Sequence, residues 1–172
     1  MVIRGYKAFN NDMSNRYGMH FEEGKEYSVS GPVLFGNKGN GFHFCKRLED
    51  TLRYVDAMNS EVKIAEVNGS GEIREAYDDY YGYYDMYVAS DLKIVRVLDR
   101  DEIIEMYLNM PEYRVERFAM GYKLDDNEIV KFKLKYLDAT RVLQAIAYYQ
   151  EGDKDAYSID RVFQFMKLKK RS

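Results

Sequence analysis

The chain has 172 residues, with 26 basic and 29 acidic side chains and a net charge of −3. That length fits one domain, or one domain with an appendage, and the 46% apolar content is enough to bury a core. The charge balance excludes an obligate polyanion binder, which is clearly basic, and a disordered acidic tail.

The single cysteine, Cys45, excludes an internal disulfide. Met1 to Lys7 carries charge where a signal peptide needs its apolar core. No window approaches the roughly 20 apolar residues of a spanning helix. A cytoplasmic protein with no membrane association is expected.

Ile3 to Phe9 predicts a short strand, closed by the turn formers Asn10-Asn11-Asp12. Gly31 to Asn40 reads as a loop, rich in glycine and asparagine. Gly41-Phe42-His43-Phe44-Cys45 follows as a strand, with Phe42 and Phe44 on one face and His43 and Cys45 on the other. Leu48, Leu52 and Val55 form an apolar stripe that predicts a helix from about Lys46 to Ala57.

Val62 to Val67 predicts a second strand, ending at the turn signal Asn68-Gly69-Ser70-Gly71, with Glu72 to Ala76 returning. Leu92 to Leu98 is the clearest buried strand. Between them, Tyr77 to Tyr87 holds six tyrosines in eleven positions. After Leu98 the character turns helical. Asp99-Arg100-Asp101-Glu102 is a start of the capping-box kind. Helices are expected near 101–109, 112–121, 138–150 and 158–168, with Asp138 and Ser158 as N-caps. Residues 129–136 alternate like a strand, yet Asp125 to Glu128 resembles a cap and an acidic first turn, which favours helix.

Several of these segments together carry a resemblance. Tyr6-Lys7-Ala8-Phe9, Phe21 to Tyr27, Gly41 to Cys45, Ala65-Glu66-Val67 with Gly71-Glu72-Ile73, and Leu92 to Arg96 resemble a domain of unknown function common in phage and bacterial genomes. The match spans about residues 3–104 and implies a fold unit and a phage or mobile-element setting, with no reaction attached. The tyrosine-rich insert at 77–87 and the last 70 residues lie outside the pattern.

Residues 3–98 are also similar in order to the ADP-ribosyltransferase fold. That resemblance implies an NAD-like nucleotide in a cleft near His43, contacted by Arg4, Tyr6 or Lys7 on the first strand. Glu66 or Glu72 would supply the catalytic carboxylate. The usual Ser/Thr of that motif is absent, Cys45 being nearest.

Read from the residues alone, His43 and Cys45 sit at i and i+2, about 6.5–7 Å apart at Cβ, too far for a direct nucleophile pair. One Cys and two His fall short of a structural zinc site, so no metal is expected, and no resident cofactor is assigned. The plainer reading makes His43 a hydrogen-bonding group in a sheet and Cys45 a small buried apolar residue. Glu66, within an apolar strand, reads either as an acid or base of raised pKa or as a partner of a Lys or Arg. Tyr80, Tyr81, Tyr83 and Tyr84 read either as a partner-binding surface or as a loop packed over the sheet. Their Asp neighbours argue against stacking on nucleic acid. The basic end, Lys167 to Arg171, reads as a solvated helix terminus or a weak nucleic-acid contact.

The expected fold is α+β. A small, mostly antiparallel sheet with one flanking helix occupies 1–98, and a helical segment occupies 99–172, the two permitting one shared core. The expected role is a non-enzymatic protein-interaction module of phage or mobile-element origin, an aromatic surface permitting a dimer without requiring one. The alternatives are a nucleotide-handling protein with a cleft at His43, and weak nucleic-acid binding by the C-terminal helices.

Overall fold

A computed structural model describes residues 1–36, 39–76 and 86–169. The chain divides into two compact units, Met1–Asp56 with Ser60–Leu98, and Ala57–Asn59 with Asp99–Ser172. The architecture is α+β, with an antiparallel five-stranded sheet and mostly C-terminal helices.

The first unit holds β1 (Ile3–Asn10), β2 (Glu26–Ser28), β3 (Phe42–Cys45), α1 (Leu48–Thr51), β4 (Val62–Ala76) and β5 (Met86–Val97). Every strand pairing is antiparallel. β1 pairs with β4 and β3, and both of those pair with β5, so the four strands close a ring. β2 joins β5 beside β3. Alternation sends Phe42 and Phe44 into the core with Phe9, Phe21, Val67, Leu92 and Ile94. Phe21 sits 5.1 Å from Phe9 and 4.8 Å from Tyr27, centroid to centroid.

The turn expected at Asn68 to Gly71 is absent. β4 runs straight through it, and β5 is the return strand. The register shifts between Ser70 and Ile73, a bulge that Gly71 supports with a φ of +75°. Gly69 is selected by packing, since a Cβ there would run into the Phe44 ring. The helix expected over 46–57 is shorter: α1 gives way to a 3-10 turn at Leu52–Tyr54.

The second unit holds α2 (Arg100–Tyr107), α3 (Glu112–Gly121), α4 (Asp126–Lys135), α5 (Thr140–Ala145) and α6 (Ile159–Lys169). Asp99 is the N-cap of α2, but its side chain makes no capping bond. The ambiguous 129–136 segment is helical. Asp125 accepts from the Glu128 N–H at 2.8 Å, and Glu128 accepts from the Asp125 N–H at 2.9 Å, a complete capping box. The N-cap of α5 is Ala139, one residue past Asp138. Ser158 receives a long bond from Arg161 N at 3.4 Å. Stacked rings run through this core: Tyr107 lies 3.8 Å from Phe118, and Phe118 lies 4.8 Å from Tyr122.

A single π turn at Ile146–Gln150 places Gln150 in the interior. Its Nε2 donates to Ala119 O at 2.6 Å and to Tyr122 O at 2.8 Å, and its Oε1 accepts from Leu124 N at 3.0 Å. One amide thus satisfies the end of α3 and the chain leading to α4.

Two stability predictions follow from this packing. Gly69→Ala forces a methyl into the Phe44 ring and lowers stability by about 1–3 kcal/mol in a denaturant melt. An unchanged midpoint would show that the ring gives way freely. Gln150→Leu strands two buried carbonyls and an N–H and costs at least about 2 kcal/mol. Gln150→Glu, which retains one acceptor and loses the amide donors, is expected to destabilise as well.

Candidate functional site

The first unit contains a cleft of about 420 Å³. β1 supplies Tyr6, Lys7 and Asn10. The loop after it supplies Asn15, Arg16 and Tyr17, and β3 with the residues before it supplies Asn40, His43 and Cys45. Thr51 and Tyr54 come from the segment after β3.

Strand alternation explains the unusual placement of Lys7. Ile3 and Phe9 pack with the core, and Lys7, at even spacing between them, shares their face. Its register partner on β4 is Ala65, which is fully buried. β1 and β3 are in register only at Tyr6 and Cys45. One residue on, the Lys7 ammonium donates to the His43 carbonyl at 2.6 Å and lies 5.8 Å from the centre of the Phe9 ring. Burial lowers Lys7 to a pKa of about 8, against an opposing influence from Cys45 and with help from the Arg16 cation.

The loop carrying Arg16 is tied by its own side chains. Asp12 accepts from Ser14 N at 2.9 Å and from Ser14 Oγ at 2.6 Å. Asn15 Oδ1 accepts from Tyr17 N at 2.9 Å and Met19 N at 3.0 Å. The Arg16 guanidinium lies 4.8 Å from the centre of the Tyr17 ring at the exposed rim. Asn40 closes the opposite loop by donating to Ser30 O at 2.8 Å.

His43 is half-buried and meets the Phe35 ring edge-on at 5.7 Å. Burial first, then the Lys7 and Arg16 charges, push its pKa below the usual value, so it is neutral at pH 7. Among the described residues lining the cleft, none is Asp or Glu, although the chain has 29 such residues. The cleft therefore combines an inward-facing ammonium, a guanidinium at the rim, side-chain amides and aromatic walls, with no carboxylate in its described lining to neutralise them. That set suits an anionic ligand of metabolite size.

Of the residues singled out from sequence, Tyr6, Lys7 and His43 line this cleft together. Arg4 does not; it is exposed near the start of β1, before the stretch from Tyr6 to Asn10 that lines the cleft. Glu66 is not among the lining residues either. It is held in a bidentate pair by Arg96, at 2.8 Å and 3.0 Å. Glu72 pairs with Arg74 at 3.1 Å. Tyr80, Tyr81, Tyr83 and Tyr84 lie outside the described residues. Arg16 was missed by sequence reasoning; the turn-forming cluster Asn11, Asp12, Ser14 and Asn15 was its only signal.

The depressed pKa of Lys7 fixes a linkage. Between about pH 8 and the ordinary lysine value of 10.5, the folded chain has released a proton that the unfolded chain still holds. Stability contributed at this site therefore rises with pH over that window. Below it, the charged lysine costs the fold. Lys7→Met is expected to gain on the wild type at pH 7, and the gap should narrow by about 1–3 kcal/mol by pH 10. Parallel denaturant melts at both pH values measure it, and a flat gap would show that Lys7 titrates normally.

No helix among the described residues is long and apolar enough to cross a membrane. No curated protein and no solved structure matches the chain. Residues 3–106 match the domain of unknown function DUF7666, a span that contains all the strands and the whole described lining of the cleft. On that match, the chain belongs to the DUF7666 family.

Proposed function

We propose that the first unit binds a small anionic metabolite, phosphate-bearing and with a planar group, in the cleft between Lys7, Arg16 and His43. The observation that supports this reading is the Lys7 ammonium on the core-facing side of β1, without a carboxylate partner among the described residues. A half-buried, poorly hydrated cation in that position costs stability, and an anion would recover it. Arg16 brings a guanidinium to the rim, and neutral His43, whose ring bonds the Gly41 backbone, leaves its other nitrogen as an acceptor for a ligand hydroxyl. The walls formed by Tyr6, Tyr17 and Tyr54 suit a planar group. A nucleotide or a sugar phosphate meets these requirements.

The interaction-module reading, with its phage or mobile-element setting, rests on Tyr80, Tyr81, Tyr83 and Tyr84. These residues contribute no described geometry, so the cleft carries the stronger argument.

The test is a thermal-shift panel of inorganic phosphate, AMP, ATP, GTP, ADP-ribose and NAD at pH 7. A true ligand at 100 times its Kd stabilises the fold by about 2.7 kcal/mol. Lys7→Met should abolish the shift and Arg16→Gln should weaken it. Glu66→Gln should leave it intact, because Glu66 is engaged with Arg96 away from the lining. No shift with any member of the panel would overturn the reading.

A further inference from the structure

We infer that Lys7 is a carbonyl-capturing amine, which forms an imine with an aldehyde- or ketone-bearing phosphorylated ligand held in the cleft. This rests on the anion-binding reading above and adds a covalent step to it.

Three observations carry it. Lys7 faces the core side of β1 and reaches the cleft, so its nitrogen is desolvated yet accessible from the cavity. No carboxylate lies in the described lining to hold it as an ammonium, and burial, with a smaller contribution from the Arg16 cation, outweighs the opposing influence of Cys45 on its protonation. Burial together with a neighbouring cation is the environment that activates a lysine as a nucleophile. Third, its nitrogen is aimed by one fixed contact, the 2.6 Å bond to the His43 carbonyl. With a pKa of about 8, roughly a quarter of Lys7 is neutral at pH 7.5, against about one in a thousand for an exposed lysine at 10.5.

The step balances without an oxidant or reductant. The lone pair on neutral Nζ forms a bond to the carbonyl carbon, and the carbonyl π pair moves to oxygen, which takes a proton from water. Nitrogen releases a proton to the hydroxide so formed; the carbinolamine hydroxyl then takes a proton from solvent and leaves as water while the nitrogen lone pair forms the C=N bond. Amine, carbonyl and one solvent proton become protonated imine and water. The protonated imine retains one N–H, which can still donate to His43 O, so the anchor survives the reaction. Arg16 lies at the rim of the same cleft, where the phosphate of such a ligand would sit.

The experiment uses the full chain and two probes that differ only at the reacting carbon. Pyridoxal 5′-phosphate carries the aldehyde; pyridoxine 5′-phosphate carries an alcohol in its place. Each is incubated with the protein at pH 7.5, treated with borohydride and mapped by peptide mass spectrometry, beside a thermal-shift measurement. The expected result is a reduced adduct concentrated on Lys7, at least tenfold above any other lysine, with the aldehyde probe only. Lys7→Met should remove that adduct, and Lys7→Arg, which keeps the cation, should remove it while still binding the alcohol probe. Thermal shifts from both probes without an adduct at Lys7 would overturn the covalent step and leave anion binding standing. Labelling spread evenly over the lysines would overturn it too, as surface chemistry. No shift from either probe and no adduct would overturn the covalent proposal for this phosphate, and no shift across the nucleotide panel as well would remove the anion-binding reading beneath it.

Discussion

The first unit depends on one ring and the two glycines beneath it. Phe44 enters the core from β3, and its side chain fills space that a Cβ on Gly5 or on Gly69 would need. Gly5 lies on β1 and Gly69 on β4, so one aromatic residue touches the three strands that must come together. At Gly5 the neighbouring Cys45 carbonyl lies so close that any side chain would displace backbone. Few strands can close a ring only if the interior side chains interdigitate tightly, which requires small residues opposite large ones. The pairing of β1 with β3 at Tyr6 and Cys45 is the visible outcome of that contact.

The same close approach creates the cleft. β1 and β3 meet at one register position and then part. Where they part, Lys7 bridges the opening to the His43 carbonyl, and loops from both sides complete the walls. A branched apolar residue at position 7 would continue the pattern set by Ile3 and Phe9 and remove a charged group from a poorly solvated place. Lysine there opposes the stability of the fold, and residues that do so mark places where something other than folding is served. The amine is tied to the His43 carbonyl at 2.6 Å.

Much of the secondary structure is legible in the sequence because it is written locally. Branched runs give β4 and β5, and Asp125 with Glu128 gives the start of α4 against a competing strand-like alternation. The failures have tertiary causes. Asn68 to Gly71 has the composition of a turn, but its glycines serve the Phe44 ring and a bulge, and no local rule distinguishes those uses. The apolar stripe after Lys46 is real, yet Leu48 and Leu52 are buried by a short turn as well as they would be by a long helix. Tyr6, Lys7 and His43, singled out by their order along the chain, line the cleft together; Arg4 and Glu66, drawn in by the same order, are not among its lining residues, and Glu66 is paired with Arg96. Arg16 depends on a loop shape that only its own side-chain bonds define.

Net charge is a poor guide to this site, and the reason is geometric. A total of −3 describes the surface average, whereas a ligand in the cleft meets the groups within a few ångströms of it. Several acidic residues of the first unit are engaged outside the lining: Glu66 with Arg96, Glu72 with Arg74, Glu26 with Lys93, and Asp12 with Ser14. What remains in the cleft is a local excess of positive charge inside an acidic protein. The charge inside the cleft is thus set by which side chains line it and not by the total of the chain.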